Sequence, residues 1–529
     1  MANLLFLGAS VSQVPAIRHA RAAGHHVVAV DADPDAVGFD IADRCVNVDF
    51  ARIAEVAAAA AVHGVDGVLA VSSDRAVVPA AAIAEALGLP GIGPEVARSM
   101  TDKPTMRARF AHAGVPQPRG AVVTGESDLD AALDGMKLPA VLKPADSAGQ
   151  RGLFVVRQRG DVEAHLHETL AFSTTARAML EEFVEGTELN GILVVRDGEP
   201  TLVTLSDRLR PEGAGFGVGW AHLYPSSLPS EVLERAREVA FDAVRALGLR
   251  DGIAFPQLIA AGDDVRIIEV AARIPAGQMA DLVNFATGIE LFDVAIAQAL
   301  GRPVPDELVA AKTERPVAIR FLTAEPGLLP VGTVTRVSGL DDVRSSPGVL
   351  AAGLYFGAGT TITPVRVDAD RRGYVVATAD APDRALALAD EAARKLDVQT
   401  VRPAVPAGRK RLLGSGGAAI AAVAATLILA GFTGGLRPRL LSDTINATAG
   451  RLQVHYAFNE PVRVELLVHG RPATALSSLR RSGELSWRDR GRTAASLAIE
   501  GIDPRGRRAV FSVKNRAPAA ARERRRGAA

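Results

Sequence analysis

At 529 residues the chain is too long for a single hydrophobic core, and its length points to three or four domains. It is 48% apolar and 23% charged with a formal net charge of zero, a globular composition without the basic excess that nucleic-acid binding would require. The one cysteine, Cys45, excludes a disulfide framework and a Cys-rich metal site, and reads as a small buried apolar residue. Seven lysines stand against 53 arginines, so a lysine inside a motif is a chemical choice.

The N-terminus lacks the basic leader and long apolar run of a signal peptide. Residues 3–8 read instead as a buried strand, followed by a helix over 13–23 and a strand over 26–30 that ends at Asp31. Strands at 46–48 and 67–71 and helices at 51–63 and 76–87 continue the alternation. Residues 1–100 are thus expected to form a doubly wound, Rossmann-like α/β domain. The loop Gly8-Ala-Ser-Val-Ser-Gln13 lacks the second and third glycines of the dinucleotide fingerprint, which argues against NAD. Ser10, Asp31 and Ser72-Ser73-Asp74 lie at carboxyl ends of strands, where open parallel sheets bind ligands. Helix N-capping is the competing reading for Ser10 and Asp74.

Residues 101–311 mix antiparallel-looking strands with helices, and 312–401 hold shorter strands, a Gly-rich stretch (353–359) and a closing helix over 384–396. Residues 402–411 read as a Pro/Gly/basic linker. Residues 412–436 carry no charge and are long enough for a transmembrane helix. Six basic residues precede that span (Arg394, Lys395, Arg402, Arg409, Lys410, Arg411) and three follow it (Arg437, Arg439, Arg451). The asymmetry favours a single-pass protein with the N-terminal part cytoplasmic and the C-terminal module extracytoplasmic. Over 437–515, alternating segments at 454–458, 462–470, 496–500 and 509–513 suggest a small all-β, Ig-like sandwich. The remaining 516–529 form an Ala/Arg tail expected to be disordered.

The chemistry concentrates between 102 and 273. In Leu138-Pro-Ala-Val-Leu-Lys143 an apolar strand delivers a lysine, and Ser147, Gly149 and Gly152 follow in a small-residue loop before a second strand. A lysine on the buried side of a strand offers a point charge to nucleotide phosphates, and such a loop lets backbone N–H groups fold over them. The layout is strand–loop–strand, so it is not a Walker A site; an ordinary hairpin is the alternative for this motif alone. Upstream lies Asp102-Lys103 ahead of Ala113-Gly-Val-Pro116. Downstream lies Glu181-Glu-Phe-Val184 with Glu188 four residues on. Gln257 and Glu269 flank the Gly262-Asp263-Asp264 turn, which would set them side by side on neighbouring strands. Oxygen ligands so placed suit Mg²⁺, which takes few ligands from protein when phosphates complete its shell.

In order and spacing these segments resemble the ATP-grasp superfamily over about three-quarters of the chain, with carboxylate–amine ligases of the carnosine-synthase and L-amino-acid-ligase type the closest in appearance. The resemblance implies a multidomain α/β and α+β protein: a pre-ATP-grasp domain (1–100), a nucleotide-binding domain (101–311) and a C-terminal subdomain (312–401). It also implies roles. Lys103 and Lys143 would hold nucleotide phosphates under the Ser147–Gly152 flap. Glu181 to Val184 would form the adenine hinge and Glu188 would take the ribose. Glu269, with Gln257, would bind Mg²⁺ or Mn²⁺, and Arg273 would stabilise the phosphoryl group in flight beside Ala276-Gly277-Gln278. Arg208 would clamp a substrate carboxylate; a surface arginine is the alternative.

The implied activity is ATP-dependent activation of a carboxylate as an acyl phosphate for capture by an amine, with small-molecule substrates, a membrane anchor and no nucleic acid; a homodimer is compatible with it. Two positions depart from the family pattern, which usually has a carboxylate at Gln257 and often Asn at Ala271. That loss of ligand charge keeps a membrane-anchored, non-catalytic ATP binder open, alongside a carboxylase-type enzyme that activates bicarbonate.

Overall fold

The computed structural model describes residues 1–210, 217–401 and, as backbone, six strands between 440 and 512. The chain divides into two compact units, 1–406 and 407–529. The first opens with β1 (Asn3–Leu7), α1 (Val14–Ala22), β2 (His26–Asp31), β3 (Arg44–Asn47), α2 (Ile53–Val62), β4 (Gly67–Leu69) and α3 (Val77–Ala86). The strands run parallel in the order β3-β2-β1-β4. β1 and β2 are apolar on both faces because helices cover both, as a doubly wound sheet requires. β3 is an edge strand with a polar sequence. Cys45 therefore lies exposed there, its Sγ 3.3 Å from the Phe39 carbonyl, contrary to the buried position expected.

Helices α4 (Pro94–Ser99) and α5 (Lys103–Ala113) lead into a four-stranded antiparallel sheet, order β5-β8-β6-β7, of β5 (Gly120–Val123), β6 (Ala140–Pro144), β7 (Phe154–Val156) and β8 (Ala178–Glu182). The larger sheet contains β9 (Thr187–Arg196), β10 (Glu199–Leu209), β11 (Ala221–Tyr224), β12 (Gly252–Ala261), β13 (Asp264–Ala271) and β14 (Val317–Leu322). After β15 (Gly332–Ser338) come β16 (Val349–Leu354), β17 (Thr361–Ile362), β18 (Gly373–Thr378) and β19 (Asp397–Val401). The eight-stranded order is β13-β12-β9-β10-β11-β14-β18-β16, and β17-β15-β19 form a separate sheet. The amphipathic helix Ser230–Leu247 buries Val232, Ala236, Val239, Ala240, Ala243, Val244 and Leu247, a 3.6-residue repeat, against the β9–β13 side of the large sheet. The closing helix spans Pro382–Ala393.

In the second unit β20 (Leu440–Thr448), β21 (Arg451–Val468), β22 (Arg471–Ala475), β23 (Arg480–Arg488), β24 (Leu497–Ile502) and β25 (Arg508–Ser512) are all antiparallel. The segments expected as two strands at 454–458 and 462–470 are one strand, β21. Its first half pairs with β20 and β23, and its second half with β22 and β24. These ladders establish antiparallel pairing through one shared strand and not the two-layer Ig-like packing expected. The 412–436 span lies outside the described residues; among those described, no helix is long and apolar enough to cross a membrane.

Candidate active site

Helix α5 aims two cations into the molecule. Asp102 caps it by accepting from the Thr105 N–H at 3.1 Å, and the left-handed Gly114 ends it. Lys103 and Arg107, four residues apart, share a helix face and are both buried. The Lys103 N–H also donates to the Ala145 carbonyl at 2.9 Å, fixing the helix to the end of β6. From β6, Lys143 Nζ lies 2.6 Å from Glu181 Oε2 on the paired strand β8. Arg107 holds the same carboxylate by two bonds of 2.8 and 3.0 Å and donates to the Ile268 carbonyl at 2.8 Å.

Burial pushes the Glu181 carboxyl up, but Arg107 and Lys143 outweigh it and hold it at about 2. Burial, reinforced by Arg107 and Lys103, lowers Lys143, while Glu181 opposes the shift. Glu181 is thus the buried counter-charge that keeps Lys143 aimed, a function beyond the hinge position expected of it.

The flap is the hairpin loop between β6 and β7, as its sequence implied. Lys103 Nζ donates to the Ser147 carbonyl at 2.9 Å, and Gly149 and Gly152 both take positive φ. Beneath the flap lies a cavity of about 630 Å³, including its open mouth. Val141, Leu153, Val184, Leu258 and Ile268 give it apolar walls, and Lys143, Glu188, Arg208 and Gln257 give it polar ones. An apolar slot with a few polar groups at one end suits a flat heterocycle carrying a charged tail.

One face of the large sheet carries the rest of the site, strand by strand. Gln257 pairs in register with Glu269 on one side and with Asn190 on the other. Arg208 lies opposite Glu188 and, across the next ladder, opposite His222. Asn190 Nδ2 and His222 Nδ1 are 3.2 Å apart, and burial, then Arg208 and Arg371, push the His222 imidazole well below its usual value. Lys103 Nζ stands 3.7 Å from Glu269 Oε2.

Among the described residues no three His, Cys, Asp or Glu side chains gather to hold a metal unaided. One carboxylate, Glu269, beside one amide, Gln257, fits a single Mg²⁺ whose shell phosphate oxygens complete.

Two expected roles meet a different arrangement. Glu188, expected to face a ribose, lines the cavity but is held by Arg208 at 2.6 Å and Arg210 at 2.7 Å. Arg208, expected to clamp a substrate carboxylate, is turned inward to Glu188, the Gly217 carbonyl and Asp368. Arg273 follows β13 and binds Asp74 of the N-terminal domain by two bonds of 2.9 and 2.6 Å; its third nitrogen, Nη1, is buried without a partner. Asp74 is therefore no helix cap but the partner of Arg273. Ser10 does not cap α1 either: its N–H and hydroxyl both donate to Gln13. Arg107, Asn190, His222 and Arg371 were not singled out from the sequence. Only Arg107 left a signal, its i+4 spacing from Lys103.

A strand lysine in a nucleotide-sized slot, a helix lysine bonded to the hairpin flap over it, and the neighbouring Gln257/Glu269 strand pair define a class, and the chain belongs to the ATP-grasp superfamily. It is 30% identical over 292 residues to D-alanine–D-alanine ligase of Desulforudis audaxviator, covering 53% of this chain and 88% of that protein. Three family models match in succession: an ATP-grasp N-terminal domain at 17–91, the ATP-binding domain of the carbamoyl-phosphate synthase L chain at 102–307, and the L-amino acid ligase C-terminal domain 2 at 320–401. Alanine–anticapsin ligase of Bacillus subtilis is 26% identical over 262 residues, 45% of this chain and 55% of that one. Among solved structures, the L-amino acid ligase of Bacillus licheniformis superposes with a TM-score of 0.67 at 20% identity, covering 76% of this chain and 99% of that one. At that identity the likeness concerns the fold.

Proposed function

We propose that the protein is an ATP- and Mg²⁺-dependent carboxylate–amine ligase acting on amino-acid or peptide substrates. The observation that carries this reading is an apolar, flap-covered slot lined by Lys143 and Gln257, with Lys103 bonded to the flap at Ser147 and standing 3.7 Å from Glu269, the strand partner of Gln257. The nucleotide's base would enter between Val184, Leu153 and Ile268, with its phosphates directed to Lys143 and Lys103 under the flap. A divalent cation at Glu269 and Gln257 would supply charge neutralisation for phosphoryl transfer.

A carboxylate oxygen attacks the γ-phosphorus, the bond to the β-phosphate oxygen breaks, and ADP leaves an acyl phosphate. The amine nitrogen then attacks the acyl carbon, phosphate departs and the nitrogen loses its proton. Lys143 holds the transferring phosphate in line because Glu181 fixes its ammonium. Arg273, oriented by Asp74, offers Nη1 to the charge that develops. The ligases among the relatives support the amine as the acceptor.

ADP release measured with pooled amino acids should require the acid, the amine and Lys143. Release without co-substrate, or unaffected by Lys143→Ala, would sink the reading.

The neutral Gln257 favours one second reading, an ATP binder without turnover. Tight ATP binding with no product under any substrate pool would decide for it. We further propose that residues 412–436 anchor the catalytic unit to a membrane from the cytoplasmic side, on the strength of their 25 uncharged residues. An active C-terminal fusion to a phosphatase that works only when exported would support this topology, and an inactive fusion whose C-terminus stays in the cytoplasm would overturn it.

A further inference from the structure

The nucleotide slot has walls from two different sheets. Lys143 and Val184 belong to the small sheet and the segment that follows it, whereas Gln257, Leu258 and Ile268 belong to β12 and β13. Arg107 is buried outside the slot and is bonded to both sheets. Nε and Nη2 donate to the Glu181 carboxylate at 2.8 and 3.0 Å. Nη2 also donates to the Ile268 carbonyl at 2.8 Å, and Nη1 to the Ile267 carbonyl at 3.4 Å.

Those two carbonyls mark an irregularity in the β12–β13 hairpin. Next to the turn Ala261 pairs with Asp264, and the ladder runs evenly as far as Leu258 with Ile267. The next pair is Gln257 with Glu269, so Ile268 is an extra residue without a partner on β12, a β-bulge. Consecutive carbonyls of a regular strand point to opposite sides, and here two of them accept from one guanidinium. The apolar core shows the same shift. Val265, Ile267 and Val270 all enter the core under helix Ser230–Leu247, with a step of three between the last two where a regular strand has two. Without the extra residue Ile268 would lie opposite Gln257, and Glu269 opposite Pro256. A slip of one residue carries every later side chain to the other face. Glu269 would then point into the core that Ala254, Leu258 and Ala260 share with that helix. β13 is an edge strand, so the bulge has no neighbouring strand on its outer side. It is held there by Arg107 and by the Pro116 carbonyl, which accepts from the Ile267 N–H at 2.9 Å.

From this, and resting on the reading of Glu269 as the ligand of a divalent cation, we propose that Arg107 is a positioning residue for that cation: it holds the Ile268 bulge that turns Glu269 to the side of Gln257. The same guanidinium fixes Glu181, and Glu181 fixes Lys143. One side chain that touches neither metal nor nucleotide thus sets the cation ligand and the phosphate lysine at a fixed spacing. The planar fork of an arginine can serve a carboxylate and two carbonyls together; the single ammonium of a lysine cannot.

The test measures two affinities on the full-length protein: Mn²⁺ in the ADP complex, by electron paramagnetic resonance, and ADP without metal, by titration calorimetry. Arg107→Lys keeps a positive charge beside Glu181 but gives up the carbonyls of the bulge. It should weaken Mn²⁺ binding about tenfold or more, the usual scale for losing a group that orients a metal ligand, and leave ADP alone within about threefold. Equal losses for both ligands, as general loosening of the fold would give, or an unchanged Mn²⁺ affinity, would overturn the proposal. A cycle with Glu269→Gln shows whether Arg107 acts through that carboxylate. With Glu269→Gln in place, Arg107→Lys should change Mn²⁺ affinity less than about twofold. A change as large as in the wild-type background would overturn the proposal. A crystal structure of the wild type with ADP and Mn²⁺ needs no variant to fold. It should show Arg107 on both carbonyls and Glu269 on the ion; a regular β13, or an ion without Glu269, would overturn the proposal. The Mn²⁺ contrast without ADP release in any pool of acids and amines would support the positioning role and refute the ligase reading instead.

Discussion

Replacing Glu181 separates structural from catalytic use of Lys143. Its carboxylate, only 3% exposed, receives Lys143 at 2.6 Å and Arg107 at 2.8 Å. Glu181→Gln keeps the shape and removes the charge, leaving two buried cations without a counter-ion. Breaking a buried ion pair from one side costs about 3–5 kcal/mol. Lys143→Met breaks the same cluster from the other side. Glu181 then keeps its two bonds to Arg107, and Arg107 keeps the Ile268 carbonyl, so we expect roughly 1–2 kcal/mol.

The ordering, Glu181→Gln costlier than Lys143→Met, is the substance of the prediction. Urea denaturation, with hydrogen exchange at the amides of β6 and β8, measures it. The pH dependence has a definite sign. Glu181 is depressed in the folded state, so its contribution is present above the ordinary carboxylate value and is lost as pH falls toward about 2. Acid unfolding of Glu181→Gln should lack that component. Equal costs for the two variants, or a loss under 1 kcal/mol for Glu181→Gln, would refute the reasoning.

Three further outcomes follow from the geometry. Asp74→Asn weakens the bidentate hold on Arg273 and should lower kcat about tenfold, or roughly 1.4 kcal/mol of barrier, with the KM for ATP within threefold in steady-state assays. Gln257→Glu restores a second carboxylate opposite Glu269; Mn²⁺ counting by electron paramagnetic resonance in the ADP complex should rise from one ion per chain to two. His222 is kept neutral by burial and two arginines, so the unfolded chain takes up its proton first as pH falls. Stability should drop by up to about 1.4 kcal/mol per pH unit below about 6.5, and His222→Gln should flatten that slope in urea titrations at pH 7.5, 6 and 5.

The N-terminal sheet was legible because doubly buried strands such as β1 and β2 are unbroken apolar runs. The Gln257/Glu269 pairing was legible to within the one-residue bulge at Ile268, because the 262–264 turn fixes the register of the hairpin. Cys45 was misread because residue type does not reveal an edge strand; the strand order does. The arginines show a different limit. The resemblance implied substrate and phosphate roles for Arg208 and Arg273, but the partners that orient them, Glu188 and Asp74, come from 20 and 199 residues away. Arg371 is brought to Gly219 from 152 residues along the chain, which no local pattern encodes.

The central claim is that a carboxylate passes through an acyl phosphate. Incubating the enzyme with ATP, the amine and an acid labelled with ¹⁸O in its carboxylate tests this most directly. An acyl phosphate transfers one labelled oxygen to the released phosphate, in proportion to the amide formed. Phosphate released without label would contradict the account, because the attacking oxygen would then have come from water.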